Sequence, residues 1–289
     1  MPSKKLLKVA KSNDLNSANF SEFNLSLYKV FLNIITKIER YDKNGNILPT
    51  ESIVRNYSLS ASDYAAEFNI SKRSSYSILK AAASKLMRTP LSLPKTRKGE
   101  EEGLLEVSIC SQAFYVKNSG RIDIEFSEKI MPHLTEIQER FTLYNLCEIS
   151  GFESMYTARF YELLMQYKTT GILKISVDEL RHALGCAKIH MLYADFKRSA
   201  FGHAVKEINS QYEMSIKFKE IKESKAVDRL EFYFKKTLKD QVYDLVTKKV
   251  RSQLTRPKKK KIESKEILST VSAREAFSEL ANKLRVKEK

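Results

Sequence analysis

Three features of the sequence predict an α+β protein built from two tandem winged-helix domains in a pseudo-two-fold relation, each a helix-turn-helix with a β-hairpin wing. The first is the stretch 191–209, MLYADFKRSAFGHAVKEIN. At helical period Phe201, Ala204, Val205 and Ile208 share one face, while Ser199, His203 and Lys206 take the other, with Lys197 and Arg198 in the opening turn. The second is its setting, since a shorter helical pattern precedes it and two alternating stretches follow. The third is that the same order occurs once earlier in the chain. Taken alone, this helix also fits an ordinary amphipathic helix with a solvated basic face; the repetition favours the other reading.

In chain order, residues 1–20 are expected to form a mobile arm. Leu25, Tyr28, Phe31, Leu32, Ile35 and Ile38 then recur at helical spacing until Lys43-Asn44-Gly45-Asn46 breaks the pattern. Ser62 or Asp63 can cap a short helix with Tyr64 and Phe68 inward, and Asn69-Ile70-Ser71 makes the turn. A longer helix runs to about Arg88, with Leu79, Ala82, Ala83 and Leu86 inward. Its outward face carries Ser74, Ser77, Ala81 and Ser84, flanked by Arg73 and Lys80. Small outward side chains let a helix approach a phosphate wall, and the cations supply attraction.

Pro90 and Pro94 end that helix, and Lys95-Thr96-Arg97-Lys98 read as a solvated charged loop. Leu105, Val107 and Ile109 alternate. Phe114-Tyr115-Val116 and Ile122, Ile124, Phe126 flank the hairpin signal Asn118-Ser119-Gly120. Stretches 130–140 and 142–149 read as helical. Ser154 can cap a helix over 155–168 with Phe160, Leu163, Leu164 and Tyr167 inward, and Gly171 sits where a C-terminal cap belongs. A short strand at 172–175, a helix at 177–184 with Leu180 and Leu184 inward, and a longer turn at 185–192 lead to the helix opened by Asp195 as a cap. Met214, Ile216 and Phe218 alternate, 222–229 is a basic loop, and Leu230, Phe232 and Phe234 alternate again.

The two halves align by organisation. Tyr64-x3-Phe68 answers Leu180-x3-Leu184, and Ala82, Ala83 and Leu86 answer Ala204, Val205 and Ile208. The anchors Tyr64 and Leu86 lie 22 residues apart and Leu180 and Ile208 lie 28 apart, the extra six falling in the turn where insertion costs little. Four segments result: the arm 1–20, a first winged helix at 21–140, a second at 141–237, and a tail at 238–289. The tail holds the charge run Pro257-Lys258-Lys259-Lys260-Lys261 and the capping box Ser272-Ala273-Arg274-Glu275 ahead of an apolar stripe, Phe277, Leu280, Ala281 and Leu284.

Length and charge agree with a two-domain partner of a polyanion. The chain has 289 residues and a net charge of +16, of which residues 247–289 supply +9, with 14 Lys and Arg against 5 Glu. Cys110, Cys147 and Cys186 form no CxxC and read as reduced, buried thiols. The four histidines, 133, 182, 190 and 203, lack ligand spacing, so no metal or cofactor is expected. No apolar run nears the roughly 20 residues of a membrane span, and 1–11 does not read as a signal peptide. No GxxxxGK[ST] occurs, which excludes a Walker-type ATPase. No HxH cradle accompanies any of the Tyr residues, which argues against a nickase. Arg159, inside an apolar helical run, reads as a structural guanidinium pairing a nearby acid.

With these residues placed, the chain resembles the iteron-binding replication initiators of theta-replicating bacterial plasmids. The likeness rests on Val9-Ala10-Lys11-Ser12-Asn13-Asp14-Leu15, Phe141-Thr142-Leu143-Tyr144, Arg159-Phe160-Tyr161-Glu162-Leu163-Leu164, Asp178-Glu179-Leu180-Arg181, Asp195-Phe196-Lys197-Arg198 and Glu207-Ile208-Asn209. It covers residues 9–236 and departs at Ser199, often basic in that family, and at Tyr28-Lys29, where an acidic residue is common. The resemblance implies a DNA-binding protein without catalytic residues. Its monomers would bind directly repeated iterons, open AT-rich DNA and recruit the host replication initiator and replicative helicase. Its dimers, formed through the first domain, would bind an inverted-repeat operator and repress their own gene, all in the bacterial cytoplasm. Base readout is expected from Lys197, Arg198 and His203, with Ser199 among the DNA-binding residues, phosphate contact from Lys206, Lys222, Lys225 and Arg229, and positioning from Arg73, Ser74, Ser77 and Lys80. Two alternatives stand beside this: a dedicated transcriptional repressor with two winged helices, and a protein-interaction module whose charge serves solubility.

Overall fold

The computed structural model describes residues 7–97, 100–117, 119–136, 141–212 and 214–235. The tail at 238–289, with its lysine run and capping box, lies outside the described residues. The chain begins with β1 (Lys8–Ser12) and α1 (Asn13–Ser17), then α2 (Leu25–Ile35). Ser12 and Asn24 cap the two helices by accepting from Leu15 N and Leu27 N. From Leu7 onward the expected mobile arm is corrected. Val9, Leu15 and Ala18 are fully buried, and β1 pairs antiparallel with a strand more than 120 residues later. A lysine-rich segment with few apolar residues looks solvated until that distant partner is known.

The first module continues with β2 (Asn56–Ser60), α3 (Ala61–Phe68), α4 (Lys72–Arg88), β3 (Pro90–Arg97), β4 (Glu100–Ser108), β5 (Cys110–Val116), β6 (Arg121–Phe126) and α5 (Met131–Thr135). Ser60, two residues ahead of the expected cap, accepts from Asp63 N and starts α3. Asn69 takes φ 51° at the turn, and Ser71 caps α4. Residues 95–97 belong to a strand rather than a loop, because β3 and β4 form a second hairpin. The helix expected over 130–140 is confined to the five residues of α5, with 137–140 outside the described residues.

The second module consists of β7 (Phe141–Asn145), α6 (Cys147–Ser150), α7 (Met155–Gln166), β8 (Ile172–Ser176), α8 (Val177–Ala183), α9 (Tyr193–Phe196), a π-helical turn over Lys197–Phe201, α10 (Gly202–Gln211), β9 (Lys217–Glu223) and β10 (Ala226–Tyr233). The helical reading of 142–149 is corrected at its start: Thr142 and Tyr144 alternate inward along β7, which β1 holds as a strand. The loop expected at 222–229 is mostly ladder, since Lys222 pairs Val227 and Ser224 turns the hairpin at φ 57°. Tyr167 is partly exposed, not inward, and Cys147 is exposed where a buried thiol was expected.

The duplication inferred from spacing is visible in the sheets. The first module's sheet has the order β2-β6-β5 and the second module's β8-β10-β9. In each, a strand leads into the helix-turn-helix and pairs with the last strand of the wing. No strand is predicted at the first module's β2; Tyr57 and Leu59 alternate inward between Asn56, Ser58 and Ser60, but the pattern is only five residues long, and its partner β6 defines it.

Residues 7–42 and 47–235 form one unit with a continuous core. Where the two modules meet, that core contains a charged cluster with no exposure at all. Lys11 of β1 lies 2.8 Å from Glu162 of α7, and Arg159 lies 2.7 Å from the same carboxylate. Tyr28 of α2 accepts from Lys11 and Arg159, at 2.8 Å each, and donates to Glu162, as does Tyr144 of β7. Every N–H of Arg159 has an acceptor: Ala183 O, Tyr28, Glu162, Asn16 O and Ala18 O. The reading of Arg159 as a structural guanidinium therefore holds, and its acid is Glu162.

Two cations face one anion, so the cluster carries one positive charge too many, and Lys11 bears the consequence. Burial pushes its ammonium down to about 7, against the attraction of Glu162. Burial alone would raise Glu162, but Lys11 and Arg159 outweigh it and hold the carboxyl below its usual value. Between pH 7 and the ordinary lysine value of 10.5 Lys11 binds a larger share of a proton in the unfolded chain than in the folded one. Stability should thus climb with pH by about 1–2 kcal/mol from pH 7 to 8.5, below the range in which Cys110 and Cys186, whose thiols burial pushes up, begin to oppose it. Urea titrations at spaced pH values test this. Lys11→Met should flatten the rise, and a wild-type midpoint that stays level or falls over that window would contradict the assignment.

Candidate nucleic-acid interface

Each module offers one long, exposed helix next to its wing. In α4 the buried residues are Ser75, Leu79, Ala82, Ala83 and Leu86, and the structure leaves Arg73, Ser74, Ser77 and Lys80 exposed together on the other face. Ser71 and Ser74 share a hydroxyl hydrogen bond of 2.8 Å at the helix start. Tyr76 of α4 lies over Gly120 at the wing turn, where φ is +58° and a Cβ would sit 1.6 Å from the ring. Only glycine fits there, on both counts.

In the second module the helix runs from Tyr193 to Gln211 with the π turn inside it. Phe196 and Phe201 are both fully buried and their rings meet at 5.1 Å. Five residues of α-helix would place them about 140° apart. The π turn takes up the extra residue and lets both rings reach the core, so Lys197 and Arg198 stay outside. Gly202 closes it by donating its N–H to Lys197 O.

The residues expected to touch DNA fall into distinct environments. Arg198 projects with its side chain 81% exposed, pairing with Asp195 at 2.9 Å. His203 and Lys206 are exposed on the same helix, and His203 lies 3.8 Å from Glu207. Ser199 is half-buried and donates to Asp195. Lys197 is already engaged: its ammonium pairs with Glu220 of β9 at 2.7 Å and lies over the Phe218 ring. This pair ties the helix to its wing. Hydrogen bonds from Lys197 and Tyr193 hold Glu220 below the usual carboxylate range. On the wing, Lys222 and Lys225 are exposed and Arg229 pairs with its neighbour Asp228.

Asp195 does not cap the helix; Leu192 occupies that position and no side chain caps it. The carboxylate instead accepts from His190 at 2.6 Å, from Arg198 and from Ser199, and these bonds lower its pKa. It orients the guanidinium. The spacing Asp195-x2-Arg198-Ser199, three and four residues on along a helix, was a local signal for this role. Glu220 had no such signal, because only the fold brings β9 against the helix. Among the described residues, no helix is long and apolar enough to cross a membrane.

Comparison with known proteins adds to this geometry. The family model described as "Initiator Replication protein, WH1" matches residues 8–165, and that described as "Initiator Rep protein, WH2" matches residues 176–234. A replication initiation protein of Escherichia coli is 30% identical over 151 residues, which cover 50% of this chain and 44% of that protein. An uncharacterized 27.6 kDa protein of Escherichia coli is 27% identical over 142 residues, covering 42% of this chain and 59% of that one. The matched stretch thus spans about half the length of these curated relatives. Among solved structures, the Pi initiator protein in complex with iteron DNA superposes with a TM-score of 0.63 at 22% identity, covering 80% of this chain and 98% of that one, a likeness of fold.

Proposed function

This chain belongs to the initiator replication protein family, with a first and a second winged-helix domain in tandem, and we propose on that basis that it is a plasmid replication initiator binding double-stranded DNA at directly repeated iterons. The observation that carries the proposal is the duplicated unit, in which two exposed helices with small or basic outer faces are each fastened to a wing. The Pi initiator, of similar fold, was captured with iteron DNA, which supports the same reading. The protein acts by binding, without a catalytic residue or cofactor, in the bacterial cytoplasm.

The second module supplies base readout through Arg198 and His203, with Ser199 and Lys197 steadying the helix. Lys206, Lys222, Lys225 and Arg229 contact phosphate. Arg73, Ser74, Ser77 and Lys80 of the first module position the protein on the adjoining turn. A salt titration separates these roles. Arg198→Ala should cut preference for the cognate repeat over random duplex by about tenfold. Lys206→Ala should weaken both alike and reduce the salt slope by about one. Equal losses in the two variants would defeat this division.

From the family resemblance the proposal extends to opening AT-rich DNA, to recruitment of the host initiator and replicative helicase, and to autorepression by a dimer joined through the first domain on an inverted repeat. A dedicated repressor is the second reading, because the same helices would serve it. Direct repeats of about 20 base pairs, two helical turns, beside the gene would favour the initiator; lone inverted repeats upstream of other genes would favour the repressor.

A further inference from the structure

Met191 and Leu192 are the most exposed large apolar side chains among the described residues, at 74% and 76%. They stand immediately before the reading helix of the second module, where residues of such a helix meet base edges. Ile189, also exposed, lies beside them. The segment that carries them is firmly held. Buried Arg181 stacks over Phe196 and donates to the carbonyls of His190 and, at 3.1 Å, Met191. His190 takes the left-handed φ of 54° and is clamped between Asp195 and Tyr156. A pinned turn that holds two apolar side chains out in water marks a contact surface rather than incomplete packing.

The surroundings indicate what that contact is. Met191, Tyr193, Arg181, Lys222 and Lys225 line one hollow of about 550 Å³ between the turn and the wing, together with Asp178 and with Glu220, whose charge Lys197 meets, and Arg198 lies five residues beyond Tyr193 on the helix. Apolar tips framed by cations match a duplex groove, whose walls are phosphate and whose apolar group on the major-groove side is the thymine C5-methyl. We propose that Met191 and Leu192 read thymine methyl groups, a specificity contact that rests on the DNA-binding function proposed above.

The test uses the full chain and a duplex that it selects from a random-sequence library. Thymines in that duplex are replaced one at a time by deoxyuridine, which removes only the methyl group. Wild type should lose about fourfold in affinity at one or two positions, the worth of one methyl withdrawn from contact. Met191→Ala or Leu192→Ala should lose little on the same replacement, so that the protein and DNA changes fail to add. Both side chains are exposed, and thermal unfolding of each variant checks that the fold is kept. A wild-type chain that selects a sequence yet ignores every uracil would overturn this inference and leave DNA binding standing. A chain that selects no sequence would remove both. Alanine variants that leave all DNA measurements unchanged but alter the mass of the protein in solution would assign the patch to a second copy of the chain, and overturn it too.

Discussion

Glu162→Ala is expected to destabilise the folded chain by about 3–5 kcal/mol, the cost of leaving buried cations without their anion. Glu162 is the acid that both Lys11 and Arg159 reach, and all three are wholly buried. Its removal also orphans the hydroxyls of Tyr28 and Tyr144, which donate to it. Against a total stability of roughly 5–15 kcal/mol for a typical domain, such a loss would leave a large unfolded fraction at 37 °C. Urea or thermal unfolding followed by circular dichroism measures it. Replacing the three charged residues together by apolar residues of similar size should recover much of the loss, since the desolvation cost disappears with the charges. A single Glu162→Ala chain within 1 kcal/mol of wild type would mean that the cluster is not what joins the modules. Because the cluster takes Lys11 from β1, Tyr28 from α2 and Arg159 and Glu162 from α7, its loss should also weaken binding to a two-module site more than to a half-site.

Gly202→Ala has the second largest expected effect, and it acts on the reading helix itself. A Cβ at this position would lie 2.2 Å from the carbonyl oxygen of Lys197, the acceptor that closes the π turn. Backbone cannot yield as a flexible side chain can, so the turn must open or revert to α-helix. Reversion rotates everything on one side of it by about 100° relative to the other. Either Phe196 then leaves the core or Arg198 leaves the outer face. We expect a loss of about 1–3 kcal/mol in stability and a loss of sequence preference larger than that of Arg198→Ala. Hydrogen exchange at the amides of 197–202, compared with wild type, tests the first part, and competition between cognate and random duplex tests the second. A variant with unchanged exchange and unchanged preference would show that the turn tolerates a side chain.

The helix-turn-helix pairs were legible because each obeys one local rule. Inward residues recur at helical period, as in Leu79, Ala82, Ala83 and Leu86, and Ser154 stands ready as a cap, although Ser60 rather than Ser62 or Asp63 caps α3. Both wings could be read as hairpins from the alternation flanking their turn residues, although the sequence reading places a loop over 222–229 in the second, where the ladder runs on to Glu223 and Ala226. Less was legible where a segment depends on a distant partner. β1 and β7 carry weak signatures of their own, the alternation of Tyr57 and Leu59 in β2 is short, and the end of β3 looked like a charged loop. The π turn was hidden for a different reason. A sequence template with a single period places Phe201 inward and Lys197 and Arg198 in one opening turn, without registering that Phe196 at a spacing of five must also be buried.

The candidate contacts divide along the same line. That Ser74, Ser77, His203 and Lys206 face outward follows from periodicity, because the apolar residues between them must face inward. That Lys197 is spoken for by Glu220, that Asp195 orients Arg198 while anchoring His190, and that Met191 and Leu192 are held out in solvent required the folded chain. Local sequence sets secondary structure through interactions a few residues apart, which any reader of the chain can enumerate. Ion pairs such as Lys11 with Glu162 join residues about 150 positions apart, and only the packed core determines which of the many possible partners is near.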